Sequence, residues 1–125
     1  MGYKGPINSG AAVGGDGVAT ANSTTPTAAL GALLRLYIKY NLTPPAGTTD
    51  VTIATAGTDA PAQTILTITN AATSGWFYPR VESVDNTGSA TGVYELFILN
   101  DKVTVTIGGA NANDNADVTL DMANL

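Results

Sequence analysis

Leu34-Arg35-Leu36-Tyr37-Ile38-Lys39-Tyr40 alternates side chain by side chain. Leu34, Leu36, Ile38 and Tyr40 fall on one face and Arg35, Tyr37 and Lys39 on the other, the period of a half-buried strand rather than of a helix. The same period returns in Lys102-Val103-Thr104-Val105-Thr106-Ile107, and again where Val118, Leu120 and Met122 alternate with Thr119 and Asp121. Between these anchors, Val51–Thr55, Thr64–Thr69, Trp76–Val84 and Tyr94–Leu99 are rich in β-branched and aromatic residues and read as four more strands. Pro44-Pro45-Ala46-Gly47, Gly57 to Pro61, Asn70 to Gly75 and Asp85-Asn86-Thr87-Gly88 punctuate them with residues that oppose ladders and favour turns. The pattern predicts an all-β fold: a single antiparallel β-sandwich or jelly-roll-like barrel of about seven strands.

Three local expectations follow from side-chain chemistry. Pro79 lacks a backbone donor, which puts the Trp76–Val84 strand at an edge or gives it a bulge. Asn100-Asp101 is placed to close a tight hairpin between Tyr94–Leu99 and Lys102–Ile107, although the usual glycine at the second turn position is missing. Ala28 to Leu34 could form a short helix on propensity, against the strand pattern that follows it.

Residues 1–29 have a different texture. Glycine stands at 2, 5, 10, 14, 15 and 17, two prolines interrupt the run, and only Val13 and Val18 are sizeable apolar anchors. Such a segment cannot by itself bury enough surface to offset its ordering entropy. The expectation is an extended arm over 1–29, flexible unless something holds it, ahead of a β-sandwich domain over 30–125. At 125 residues the chain has room for one core.

Composition excludes much chemistry. Charged residues make up 12% of the chain, with five basic against ten acidic, about half the roughly 25% usual in soluble proteins. The basic residues Lys4, Arg35, Lys39, Arg80 and Lys102 are scattered, so neither a phosphate-neutralising surface nor a polybasic membrane helix is expected. Histidine and cysteine are absent, which removes thiolate nucleophiles, Cys/His zinc sites and imidazole-based triads. No enzyme and no cofactor are expected. No apolar run follows the first residues, so the expectation is a chain made in the cytoplasm without a signal peptide. Without one, the acceptor patterns Asn22-Ser23-Thr24 and Asn41-Leu42-Thr43 are read as coincidence.

Four groups of residues remain as candidates. Asn111-Ala112-Asn113-Asp114-Asn115-Ala116-Asp117 concentrates oxygen ligands of the kind calcium takes, but it lacks the central glycine and distal glutamate of an EF-hand, and hairpin-loop chemistry explains it better. Glu82, Glu95, Asp50, Asp85 and Asp101 could supply a glycosidase-like carboxylate pair; their spacing selects no pair, and a solvated face is the better reading. Trp76-Phe77-Tyr78-Pro79-Arg80 gathers aromatic area that is more often core on one face than a sugar platform. Tyr3, Val13 and Val18 of the arm, with Trp76, Tyr78 and Arg80, are the expected assembly contacts.

The residue usage is that of an extracellular, lattice or filament protein, yet no export signal accompanies it. A virion component reconciles the two, since it is made and assembled inside the host cell and released by lysis. Tyr37-Ile38-Lys39-Tyr40-Asn41, Pro44-Pro45-Ala46-Gly47-Thr48-Thr49-Asp50-Val51-Thr52-Ile53 and Gly75-Trp76-Phe77-Tyr78-Pro79-Arg80-Val81, with Lys102–Ile107, resemble small structural proteins of tailed bacteriophages, of the head decoration or cement kind. The resemblance, one of pattern and composition, covers most of residues 34–120. It implies a β-rich subunit, commonly trimeric, that clamps neighbouring major capsid subunits, with residence in the virion and no site residues to carry over. The arm would then add a strand to a neighbour, and a chain lacking residues 2–25 would stay folded but no longer decorate shells. A tail, fibre or filament subunit is the first alternative; a carbohydrate-binding module with Trp76 and Tyr78 exposed is the second.

Overall fold

The computed structural model describes residues 5–41, 46–70 and 73–124. The protein is all-β. Its strands are β1 (Ile7–Asn8), β2 (Ala19–Thr24), β3 (Ala29–Tyr40), β4 (Asp50–Thr55), β5 (Thr64–Ile68) and β6 (Gly75–Phe77), followed by β7 (Val81–Val84), β8 (Ala90–Glu95), β9 (Phe97–Asp101), β10 (Val103–Ala110) and β11 (Ala116–Ala123). Among the described residues no helix is long and apolar enough to cross a membrane.

Every ladder is antiparallel. One sheet runs β1-β11-β3, and β6 and β9 share the far edge of β3, pairing with its second and first halves. A second sheet runs β2-β10-β4-β5, and β7 with β8 forms a separate ribbon. Val103, Val105 and Ile107 of β10 and Val51 and Ile53 of β4 alternate inward to meet Leu33, Leu36 and Ile38 of β3 and Val118 and Leu120 of β11 in one hydrophobic cluster. Each such aliphatic side chain contributes about 1.5–3 kcal/mol by leaving water. The threonines between them turn outward, and Thr24 and Thr104 share a hydroxyl–hydroxyl bond of 2.8 Å across paired positions.

The Leu34–Tyr40 period holds from Leu36 onward and breaks at Leu34. Arg35 pairs with Asp121 while Leu33 pairs with Met122, so β3 carries one residue more than its partner at this point. Such a bulge puts Leu33 and Leu36 both in the core and turns Leu34 outward. The run from Ala29 to Leu34 is strand, not helix, because β9 and β11 flank it on both edges. Gly31 adopts φ 119° there, and a Cβ on it would collide with the carbonyl oxygen of Ala123.

Among the described residues eleven strands stand where about seven were expected, and two of the four additions come from expected strands that divide. The Trp76–Val84 stretch divides at Tyr78-Pro79-Arg80, where proline cannot donate to a ladder. Tyr94–Leu99 divides at Leu96 into a ribbon strand and a sheet strand. Asn100-Asp101 closes no hairpin: β9 pairs with β3, whereas β10 pairs with β2 and β4, so the chain changes sheets there. Asp101 makes the corner, its carboxylate accepting the amides of Lys102 at 2.7 Å, Gly57 at 2.9 Å and Thr58 at 3.1 Å. The Thr58 side chain first, and these amides with it, hold the Asp101 carboxyl below its ordinary pKa.

Strand pairing also runs across the boundary expected at residue 29. β1 pairs with β11, β2 pairs with β10, and Ile7, Ala12 and Ala19 belong to the core. The arm's backbone is therefore engaged with its own sheets, which supply the apolar surface that a glycine-rich segment lacks. Tyr3 lies outside the described residues.

Candidate docking surface

On the outer side of the first sheet the alternation of β3 presents Arg35, Tyr37 and Lys39 opposite Asp121, Thr119 and Asp117 of β11. Arg35 Nε donates to Asp121 Oδ2 at 2.9 Å, and the guanidinium lies 3.9 Å from the centre of the Trp76 ring. Tyr37 and Trp76, paired across β3 and β6, meet edge to face with ring centres 5.0 Å apart. Asp121 first, and the Tyr78 hydroxyl second, raise the Arg35 pKa above its ordinary value. Asn8 Nδ2 donates to Asp117 Oδ1 at 2.7 Å and extends this polar face onto β1. Trp76 keeps 47% of its surface exposed, and Tyr78 is exposed beside it.

The second feature arises where β3 changes partner. Between the stretches covered by β6 and β9 the Leu34 carbonyl has no strand opposite it, and Arg80 Nη1 donates to it at 3.1 Å and to the Pro79 carbonyl at 2.8 Å. From this pin the chain leaves the sheet as the β7–β8 ribbon and returns at Phe97, opposite Leu33. The Asp85 carboxylate shapes the ribbon's turn, with Oδ1 accepting the Thr87 hydroxyl at 2.6 Å, the Thr87 amide at 2.8 Å and the Ser89 amide at 3.0 Å. Val81 at the foot of β7 packs against the core, but among the described residues nothing covers β8. Every residue of β8 is exposed, including Val93 at 58% and Tyr94 at 62%, and Val84 of β7 is exposed as well. At its base, Leu34, Arg80, Tyr94, Glu95, Leu96 and Ile98 line a groove of about 650 Å³.

The expected contact residues are thus distributed over two regions. Trp76 and Tyr78 stand outside the core while Phe77 packs against it, so the core reading of this stretch holds for one residue of the three. Arg80 is partly committed to the sheet edge. Val13 and Val18 are exposed beside the loop that follows β10, on a short turn held by Val13–Thr20 bonds and by the Gly17 amide on the Ala110 carbonyl. Sequence reasoning missed Val84, Val93, Ile98 and Leu30, all exposed. The legible signal was a four-residue turn flanked by valines and glutamates, with no second apolar face to place beneath them.

The oxygen-rich loop after β10 is occupied with its own chain. Asn111 Oδ1 accepts the Gly17 amide at 3.1 Å, Asn115 Oδ1 accepts Asn8 Nδ2 at 3.0 Å, and Asn113 sits at φ 69°. It joins the two sheets rather than closing a hairpin, since β10 and β11 belong to different ones. Asp114 Oδ2 is buried and lacks a hydrogen-bond donor among the described residues, while its Oδ1 accepts Asn41 Nδ2 at 3.2 Å. Among the described residues no three acidic side chains are grouped to hold a metal ion. Glu82 does not face Glu95 across the ribbon; its register partner is Tyr94, and its carboxylate accepts the Gly92 amide at 2.9 Å.

No protein-family model matches the sequence, and no curated protein matches it. Among solved structures, the crystal structure of FLHE aligns over 98% of this chain and 93% of its own, at 12% identity and a TM-score of 0.37. A likeness of that degree carries no function to this chain.

Proposed function

We propose that this chain is a virion structural protein, a β-sandwich or jelly-roll-like subunit of the head decoration or cement kind that binds an assembled capsid lattice and stabilises it. The observation that carries the proposal is the exposure of large apolar side chains, Val13, Val18, Trp76 and Tyr78, on a well-packed frame that is poor in charge. Apolar groups held out in water on an ordered scaffold favour a partner that covers them. The partners are the major capsid protein or other virion subunits, the residence is the particle, and no catalysed step is required. Binding only the assembled state lowers its free energy by an amount set by affinity and free concentration.

The manner of attachment changes with the fold. Residues 7–8 and 19–24 pair internally, so the contact is made by the Val13–Val18 turn and the aromatic face rather than by a donated arm. Particles mixed with the purified chain and imaged by cryo-electron microscopy provide the test. The expected result is density on the head lattice that disappears with Val13→Asp/Val18→Asp. Density on the tail alone would move the protein to the fibre or tail class, and a chain that never associates with particles would overturn the reading.

Trp76 exposure also favours a second reading, a carbohydrate-binding module, because an exposed ring can stack on a sugar face. Arg35 already covers part of the Trp76 ring, which leaves less of it for a ligand. Quenching of Trp76 fluorescence by oligosaccharides supports this second reading, and an unchanged spectrum removes it.

A further inference from the structure

We propose that the chain binds a hard divalent cation of the calcium kind at the end of the frame where β3 stops and β10 passes into β11, with the Asp114 carboxylate as its charged ligand. Among the described residues three buried side-chain oxygens have no hydrogen-bond partner: Tyr40 Oη, Thr49 Oγ1 and Asp114 Oδ2. Chain topology brings all three to the same end. Tyr40 closes β3 opposite Ala116, where β11 begins, and Thr49 precedes Asp50, which opens β4 opposite Gly108 of β10. Asp114 stands in the loop that carries β10 into β11. Two bonds tie these pieces together: Thr48 Oγ1 donates to the Gly109 carbonyl at 2.6 Å, and the Asn41 amide to the Asn115 carbonyl at 3.1 Å. Burying a polar oxygen without a partner is costly, and three such oxygens at one end call for a common ligand.

The carboxylate decides the class of that ligand. Asp114 is 7% exposed, and one neutral side-chain donor, Asn41 Nδ2 at 3.2 Å, answers it. Among the described residues no basic side chain neutralises it. Arg35 pairs with Asp121, Arg80 is pinned at the sheet edge, Lys39 lies on the outer face of β3, and Lys102 precedes β10 at its far end. An ionised carboxylate held away from water without a positive partner is strongly unfavourable, so the counter-charge comes from solution. With histidine and cysteine absent, the donors are oxygens, which suit calcium, and Asn111, Asn113 and Asn115 add amide oxygens to the same loop. Magnesium gives up its waters reluctantly and fits less well. A single carboxylate makes the site weak, with a dissociation constant of about 10⁻⁴–10⁻³ M.

Thermal melts of the full-length chain, followed by circular dichroism at matched ionic strength, test the proposal. Against a chelator, about 10 mM calcium chloride should raise the midpoint by about 5–10 °C, and magnesium chloride by less. Asp114→Asn keeps the side-chain shape and removes the charge, so calcium should no longer move its midpoint. Asp59→Asn, which changes an exposed carboxylate between β4 and β5, should leave the calcium response intact. If Asp114→Asn does not fold, amide chemical shifts of the wild type decide. Calcium should move the amides of Asn41, Asp114 and Asn115 and leave those of Thr87 and Ser89 in place. A wild-type midpoint indifferent to calcium would mean that water or a proton satisfies Asp114, and would overturn the proposal. A calcium response that survives Asp114→Asn, or shifts confined to exposed carboxylates, would overturn it equally.

Discussion

β10 and the β7–β8 ribbon are built from similar residues and end in opposite environments. In β10 the valines and isoleucine at every second position are buried beneath the facing sheet. In β8 no residue is buried, although valine and tyrosine stand among its six positions. The difference is the second layer. Alternation makes a strand, but only a facing sheet turns that strand's apolar half into stability, and where none faces it the same side chains remain available to a partner.

Removing one region or the other breaks the comparison most severely. Deletion of residues 2–25 takes away β1 and β2 with Ile7, Ala12 and Ala19 of the core. The expected result is loss of the cooperative thermal transition by circular dichroism, contrary to what an arm reading of the sequence predicts. Replacing residues 81–95 with a short Gly-Ser linker should leave that transition in place. A cooperative melt in the first case, or none in the second, would reverse the assignment of frame and appendage.

Single substitutions sharpen it. Ile53→Ala empties a fully buried position in β4 and should cost about 2–5 kcal/mol. Val93→Ala removes a similar side chain from the ribbon and should stay within about 0.5 kcal/mol in the isolated monomer. Chemical denaturation of both variants at a concentration too low for association makes the comparison, and equal costs would mean that the ribbon is packed after all.

Much of the frame was legible because its code is local. Val103, Val105 and Ile107 name their own face, as do Val118 and Leu120. What was not legible depends on partners far along the chain. Leu34 obeys the period in sequence yet turns outward, because the bulge that moves it is set by the register with Met122 and Asp121. The arm looks too poor in apolar residues to order, which is true of it alone and untrue once β10 and β11 offer it edges. Trp76, Phe77 and Tyr78 alternate as a strand should, but alternation does not say whether the outer face is covered. The turn at Asp85-Asn86-Thr87-Gly88 was readable, whereas the exposure of every residue of β8 behind it was not.

The smallest expected effect concerns that turn. The Thr87 hydroxyl first, then the Ser89 and Thr87 amides, hold the Asp85 carboxyl below its ordinary pKa of 3.8. A group whose pKa is lower in the folded ribbon than in the unfolded chain favours the folded ribbon above the unfolded value, and that contribution fades as pH falls through the lower folded one. The ribbon should therefore be at full strength at neutral pH and loosen only under acid. The Asp101 carboxyl at the corner between β9 and β10 is also held below its ordinary pKa, so overall stability would mix the two. Amide chemical shifts separate them: Thr87 and Ser89 should titrate together with a midpoint below 3.8, and Asp85→Asn should abolish that response while leaving the Gly57 and Thr58 amides to follow Asp101. A Thr87 amide that titrates as it does in a short peptide would show that the turn is not held by this carboxylate.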